Sequence, residues 1–136
     1  MLRASNFKKH ITPELALRIG LGGVFLYAGI NSLLNPTAWI GFIPQWINNI
    51  PLFPELVEGI QFREIVLMLH GAFEIVLALA LLLGFWKRLA SLLAFLSIAG
   101  MLIFYGVDDV SFRDFGLLAM AYALLLLTKV HIDKKN

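Results

Sequence analysis

Apolar residues in this chain come in long runs that lack the alternation of a half-buried strand. Four runs come close to the roughly 20 mostly apolar residues that a helix needs to cross the hydrocarbon core. They are Glu14 to Leu34, Glu64 to Phe85, Arg88 to Tyr105 and Phe112 to Val130. An open sheet in lipid would leave backbone groups unpaired, so the runs predict helices. Thr12 suits the N-cap of the first helix with Pro13 at its first position, and Gly84 suits the end of the second. The fourth run has a short charge-free core, the 14 residues between Asp114 and Lys129.

Short links join the second, third and fourth runs. The pattern predicts an all-α, up-down transmembrane four-helix bundle, one membrane domain over residues 1–136. The long connection, residues 35–63, holds Pro36, Pro44, Pro51 and Pro54, and through it run Trp39, Phe42, Trp46, Phe53 and Phe62. Aromatic residues favour the headgroup region, so this outer connection reads as a belt of one or two short helices on the membrane surface. A lid over a ligand pocket is the alternative. From Glu55 to Arg63 the chain is expected to lengthen the second helix.

Composition agrees with the pattern. Hydrophobic residues make up 60% of the chain and charged residues 15%, with a mean hydropathy of +0.82; a soluble domain carries about 25% charged residues. Nine of the 11 Lys and Arg residues (Arg3, Lys8, Lys9, Arg18, Lys87, Arg88, Lys129, Lys134, Lys135) fall on one predicted side, against Arg63 and Arg113 on the other. The positive-inside rule then gives a multi-pass protein of the cell membrane with both termini cytoplasmic. The basic amino-terminal dozen residues lead into an apolar run without an A-x-A-like cleavage signal, which reads as a retained first helix. The net charge of +2 is therefore a topology signal rather than a nucleic-acid patch.

Against this background Glu74 stands out, because it lies near the middle of the second run. A charged residue such as Asp at a membrane helix centre is disfavoured by roughly 2.5–3.5 kcal/mol, and such groups tend to face the protein interior and mark functional sites. Arg63, Leu67, His70 and Glu74 share one narrow helical stripe. Arg18, Gly22, Phe25 and Gly29 form a second stripe, whose glycines allow close helix approach. Asp114, Leu118, Ala121, Leu125 and Thr128 form a third. If the three face one interior, Glu74, His70, Arg18 and Asp114 are its polar cluster. Each also has a plainer reading: Arg18 as an interface anchor that snorkels, Asp114 as a first-turn carboxylate, His70 as a packed core residue and Glu74 as half of a structural pair with Arg18. Tyr27, Asn31, Tyr105 and Tyr122 can supply hydrogen bonds to a ligand pocket, although Tyr27 and Asn31 lie on a different face from Arg18. No residue is assigned as catalytic.

The chain has no cysteine, which removes thiol nucleophiles, disulfide exchange and thiolate-held clusters. His10 and His131 fall at the two cytoplasmic ends and leave His70 alone in the membrane, so no metal site is expected. No glycine-rich phosphate loop or nucleic-acid platform is visible.

Three stretches, LRIGLGGVFLYAGINSLLNP, HGAFEIVLALALLLGFWKRLASLLA and FRDFGLLAMAYALLLL, occur in the order and spacing of a known group. The chain resembles the DoxX/DoxD-like family of small four-helix membrane proteins. The resemblance implies that Arg18, Glu74 and Asp114 correspond to that group's recurrent charged residues. Many relatives carry a lysine soon after the first helix's Ala-Gly pair; here the stretch reads Ala28, Gly29, Ile30, Asn31, Ser32. Some members resemble membrane subunits of thiosulfate:quinone oxidoreductases or of other redox-linked complexes. The residues and the resemblance leave three functions open. The first is a quinone- or lipid-associated subunit of a membrane redox system, with no cofactor encoded, quinone as the candidate ligand and the electrons supplied by a redox partner protein. The second is a non-catalytic assembly or scaffold protein, whose Ala90/Ala94 and Ala119/Ala123 pairs can pack helices within a chain or in a homo-oligomer. The third is a proton-coupled small transporter.

Overall fold

The structure, a computed structural model, describes residues 12–43, 62–105 and 111–133, and among them it is helical with no strand. Helix α1 spans Pro13–Leu34, and the short α2, Pro36–Trp39, runs into a 3-10 turn at Ile40–Phe42. Helix α3 spans Phe62–Leu83, α4 spans Lys87–Tyr105, and a second 3-10 turn at Ser111–Arg113 leads into α5, Asp114–Asp133. Of the long connection only residues 35–43, 62 and 63 are described, and the expected helical stretch from Glu55 lies mostly outside them. The connection's Pro44, Trp46, Pro51, Phe53 and Pro54 also lie outside the described residues.

The helix ends follow local chemistry. The Thr12 hydroxyl accepts from the Leu15 amide at 3.2 Å, an N-cap bond that satisfies one of the free donors of the first turn. Helix α3 begins two residues before the expected Glu64 and ends two residues before the expected Phe85. Its end is set by Gly84, whose φ of +77° is open to a residue without Cβ and whose amide donates to the Ala80 carbonyl at 2.9 Å. Helix α5 begins at Asp114, because Phe112 belongs to the preceding 3-10 turn, and it continues past Lys129.

Three helices, α1, α3 and α4 up to Phe104, are long and apolar enough to cross a membrane. Apolar residues occupy both their buried and their open faces. On α1, Leu21 and Phe25 are buried while Ile19, Tyr27 and Leu34 are exposed; on α3, Leu67, Leu77 and Leu81 are buried while Leu69, Val76 and Leu83 are exposed. Helices apolar all round belong in lipid, and this chain is a multi-pass membrane protein.

The chain divides into two compact units, Met1–Val24 with Leu77–Asn136, and Phe25–Val76. In the first, α4 and α5 pack on one another, meeting at Ser91 and Thr128, and Ala90, Ala94, Ala121 and Leu124 on these helices are also buried. Small residues recur here because lipid offers apolar surface as readily as protein does, so helices gain by close packing. The Ser91 and Thr128 hydroxyls lie 3.5 Å apart across this seam, and each also bonds a carbonyl of its own helix. A Cβ on Gly22 would come within 2.7 Å of Leu82 Cγ, so α1 and α3 touch closely in this unit. In the second unit, a Cβ on Gly29 would stand 2.7 Å from the Gly71 carbonyl oxygen. The expectation that Gly22 and Gly29 admit a neighbouring helix is met at both positions.

Candidate functional site

Within the second unit, α3 brings two polar side chains together one turn apart. His70 Nε2 lies 3.5 Å from Glu74 Oε1. The Glu74 side chain is 4% exposed and that of His70 41%, so the carboxylate is enclosed and the imidazole stands at the margin. The Phe73 ring flanks the imidazole with centroids 6.3 Å apart. The enclosure of Glu74 has a local cause. Gly29 and Gly71 face each other without side chains, and a Cβ on Gly29 would lie 3.1 Å from Glu74 Cβ. Helix α1 therefore lies directly against the base of the glutamate. Ser32, also buried, turns its hydroxyl to the Gly29 carbonyl at 3.0 Å and sits where a Gly71 side chain would go.

Two clamps hold the backbone of this unit. Trp39 Nε1 donates to Asn31 Oδ1 at 2.8 Å, which folds α2 back along the end of α1. The Arg63 Nη2 donates to the Ile43 carbonyl at 2.6 Å and also to that of Ile40. The Ile40 carbonyl also accepts from the Ile43 amide at 3.1 Å, so the guanidinium adds its bonds at the end of the 3-10 turn, where carbonyls have spare acceptor capacity.

Arg18 belongs to the first unit, where its Nε donates to the Leu81 carbonyl at 2.7 Å and its Nη2 to the Leu82 carbonyl at 3.0 Å. Both are end carbonyls of α3 exposed by the Gly84 turn. Arg18 Nη1 lies 3.8 Å from Glu14 Oε1, and Lys87 Nζ lies 2.7 Å from the same oxygen. The guanidinium thus ties α1 to the end of α3, and Glu14 ties α1 to the start of α4. Asp114, half-buried, is the first residue of α5, where the helix dipole favours a negative charge.

The structure thus pairs His70 with Glu74 and gives Arg18 its own partners. Of the proposed pocket residues, Tyr27 is 69% exposed and Tyr122 51% exposed beside Phe95. Asn31 is engaged by Trp39, and the Tyr105 side chain lies outside the described residues. Sequence reasoning missed Gly71, Ser32, the Trp39–Asn31 bond and the Glu14–Lys87 pair. Gly71 was open to discovery, because it falls four residues after Leu67 and so extends that stripe. Among the described residues no group of three or more His, Asp or Glu is placed to hold a metal ion.

The DoxX family model matches residues 14–107 of this chain. The match covers α1, α3 and α4, with the His70–Glu74 pair and Arg18, and ends before Asp114. No curated protein and no solved structure matches the chain.

Proposed function

The chain belongs to the DoxX family, and from that premise we propose that it is a subunit of a membrane redox system that holds an isoprenoid quinone, or a lipid of similar polarity, at the His70–Glu74 pair. The observation that carries this reading is the contrast within the pair: a carboxylate 4% exposed behind an imidazole 41% exposed. A polar group at this depth is costly unless it is paired or used. The imidazole is placed to donate to a quinone carbonyl or to accept from a quinol hydroxyl, and the carboxylate neutralises a proton held there. Reducing a quinone to a quinol takes two electrons and two protons. A partner redox protein supplies the electrons, and the pair serves as the site where protons pass to the ligand oxygens. In this reading the four long helices form an up-down bundle in the cell membrane. Both termini face the cytoplasm, in line with nine Lys and Arg residues on one side against two on the other.

The test is mass spectrometry of lipids and quinones extracted from the purified protein, with Glu74→Gln purified in parallel. The proposal expects a stoichiometric isoprenoid quinone in the native chain and its loss in the variant. Bulk phospholipid alone in both preparations overturns it. A second reading, a non-catalytic assembly protein, draws support from the Gly29–Gly71 approach and the capped carbonyls, all of which serve packing. On that reading Glu74→Gln lowers stability and leaves every cellular phenotype intact.

A further inference from the structure

The turn between α3 and α4 carries a group of side chains that the His70–Glu74 proposal does not use. Gly84 and Trp86 both have positive φ, +77° and +43°. Glycine adopts this conformation freely, but for a bulky residue it is an outlier, and such strain tends to persist where it serves a function. Its effect here is outward display: Trp86 is 80% exposed and Phe85 66%. The next two residues, Lys87 and Arg88, are exposed and basic.

Charge is unevenly used at this end of the unit. Lys87 is matched by Glu14 at 2.7 Å, and Arg18 is held by the Leu81 and Leu82 carbonyls. The Arg88 guanidinium has no hydrogen-bond or ion-pair partner among the described residues, its carbonyl alone accepting from the Ser91 hydroxyl. The Ser91–Thr128 contact brings the end of α5 beside the start of α4, so Lys129, also exposed, lies toward the same end as Arg88. Of the described charged side chains named here, four are positive and Glu14 alone is negative.

We propose that this turn is a binding site for anionic phospholipid. Arg88 and Lys129 take the phosphate, and Phe85 and Trp86 enter the boundary between headgroups and acyl chains. The occupant is argued from complementarity. The unmatched charge is positive and calls for an anion. The aromatic pair beside it is of the kind that sits at the membrane interface, which a free phosphate would leave unused. Juxtamembrane basic residues favour anionic lipid by about five-fold each. The assignment is independent of any quinone role, because none of its residues belongs to the His70–Glu74 pair.

The experiment is native mass spectrometry of the full chain in detergent, offered equal amounts of phosphatidylglycerol and phosphatidylcholine with matched acyl chains. The native protein is expected to retain phosphatidylglycerol preferentially, and Arg88→Gln with Lys129→Gln to lose most of that preference while keeping its helical circular dichroism and thermal midpoint. Trp86→Gly relieves the backbone strain. It is expected to hold or raise the thermal midpoint in lipid-free detergent while lowering retention of both lipids. An unchanged preference in the folded double variant overturns the proposal. So does displacement of bound phosphatidylglycerol by inorganic phosphate alone, which would mark a simple anion site.

Discussion

Arg18 and Glu74 are both charged residues in apolar helices, and the chain treats them in opposite ways. Arg18 directs two hydrogen bonds to the carbonyls that end α3 and lies beside Glu14. Its donors meet groups that any helix end leaves open, so its placement is accounted for by the fold. Glu74 is enclosed where α1 and α3 meet through glycines, with a part-exposed histidine as its neighbour. The fold explains how the carboxylate is buried but supplies no reason to bury it. A charge in a membrane helix is therefore not by itself a functional sign; what distinguishes the two is where their hydrogen bonds go.

The largest effect separating the two regions is expected at Arg18. Arg18→Ala frees two carbonyls that now accept from a charged group, and bonds to charged groups contribute about 1.5–3 kcal/mol each. A loss of about 3 kcal/mol, seen as a lower unfolding midpoint in detergent, is expected to exceed that of any neutral replacement at Glu74. If Arg18→Ala unfolds like the native protein, the clasp has no structural role.

Next comes the glycine approach in the other unit. Gly29→Ala sets a methyl group 2.7 Å from a backbone oxygen and 2.8 Å from Ile75 Cγ1. The backbone oxygen cannot swing aside, so a loss of about 2 kcal/mol follows. Gly23→Ala is the control: a Cβ there meets nothing within 4 Å, and the gain in helix propensity makes the change neutral or slightly stabilising. Equal thermal midpoints for the two variants would refute close packing at Gly29.

Trp39→Phe keeps an aromatic ring, though a smaller one, and removes the 2.8 Å donation to Asn31. About 1 kcal/mol is expected, with faster amide hydrogen exchange confined to residues 36–43. Uniform exchange along the chain would show that Trp39 does not hold α2.

These contrasts also mark what the sequence revealed. Apolar runs, Thr12 and Gly84 gave the four long helices to within three residues at each end, because lipid length and helix caps are local constraints. The glycine stripe on α1 was readable for the same reason, since it depends on spacing within one helix. The direction of Arg18 was not readable. A long side chain reaches several partners, and the Leu81 and Leu82 carbonyls become available only once the Gly84 turn exposes them. The uneven burial of His70 and Glu74 also escaped the sequence. Helical spacing puts them on one face, whereas the packing of Gly29 against Gly71 decides which is covered.

Glu74→Gln is expected to change stability least, by under about 1 kcal/mol, since the amide fits the same space and keeps a hydrogen-bonding group. Its consequence should fall on the ligand instead. The most direct measurement is redox-induced infrared difference spectroscopy of the native chain, Glu74→Gln and Arg18→Lys, each reconstituted with an isoprenoid quinone. The account predicts a carboxyl signal that changes as the quinone is reduced, is absent in Glu74→Gln and survives in folded Arg18→Lys. Identical difference spectra with and without the Glu74 carboxylate would contradict it.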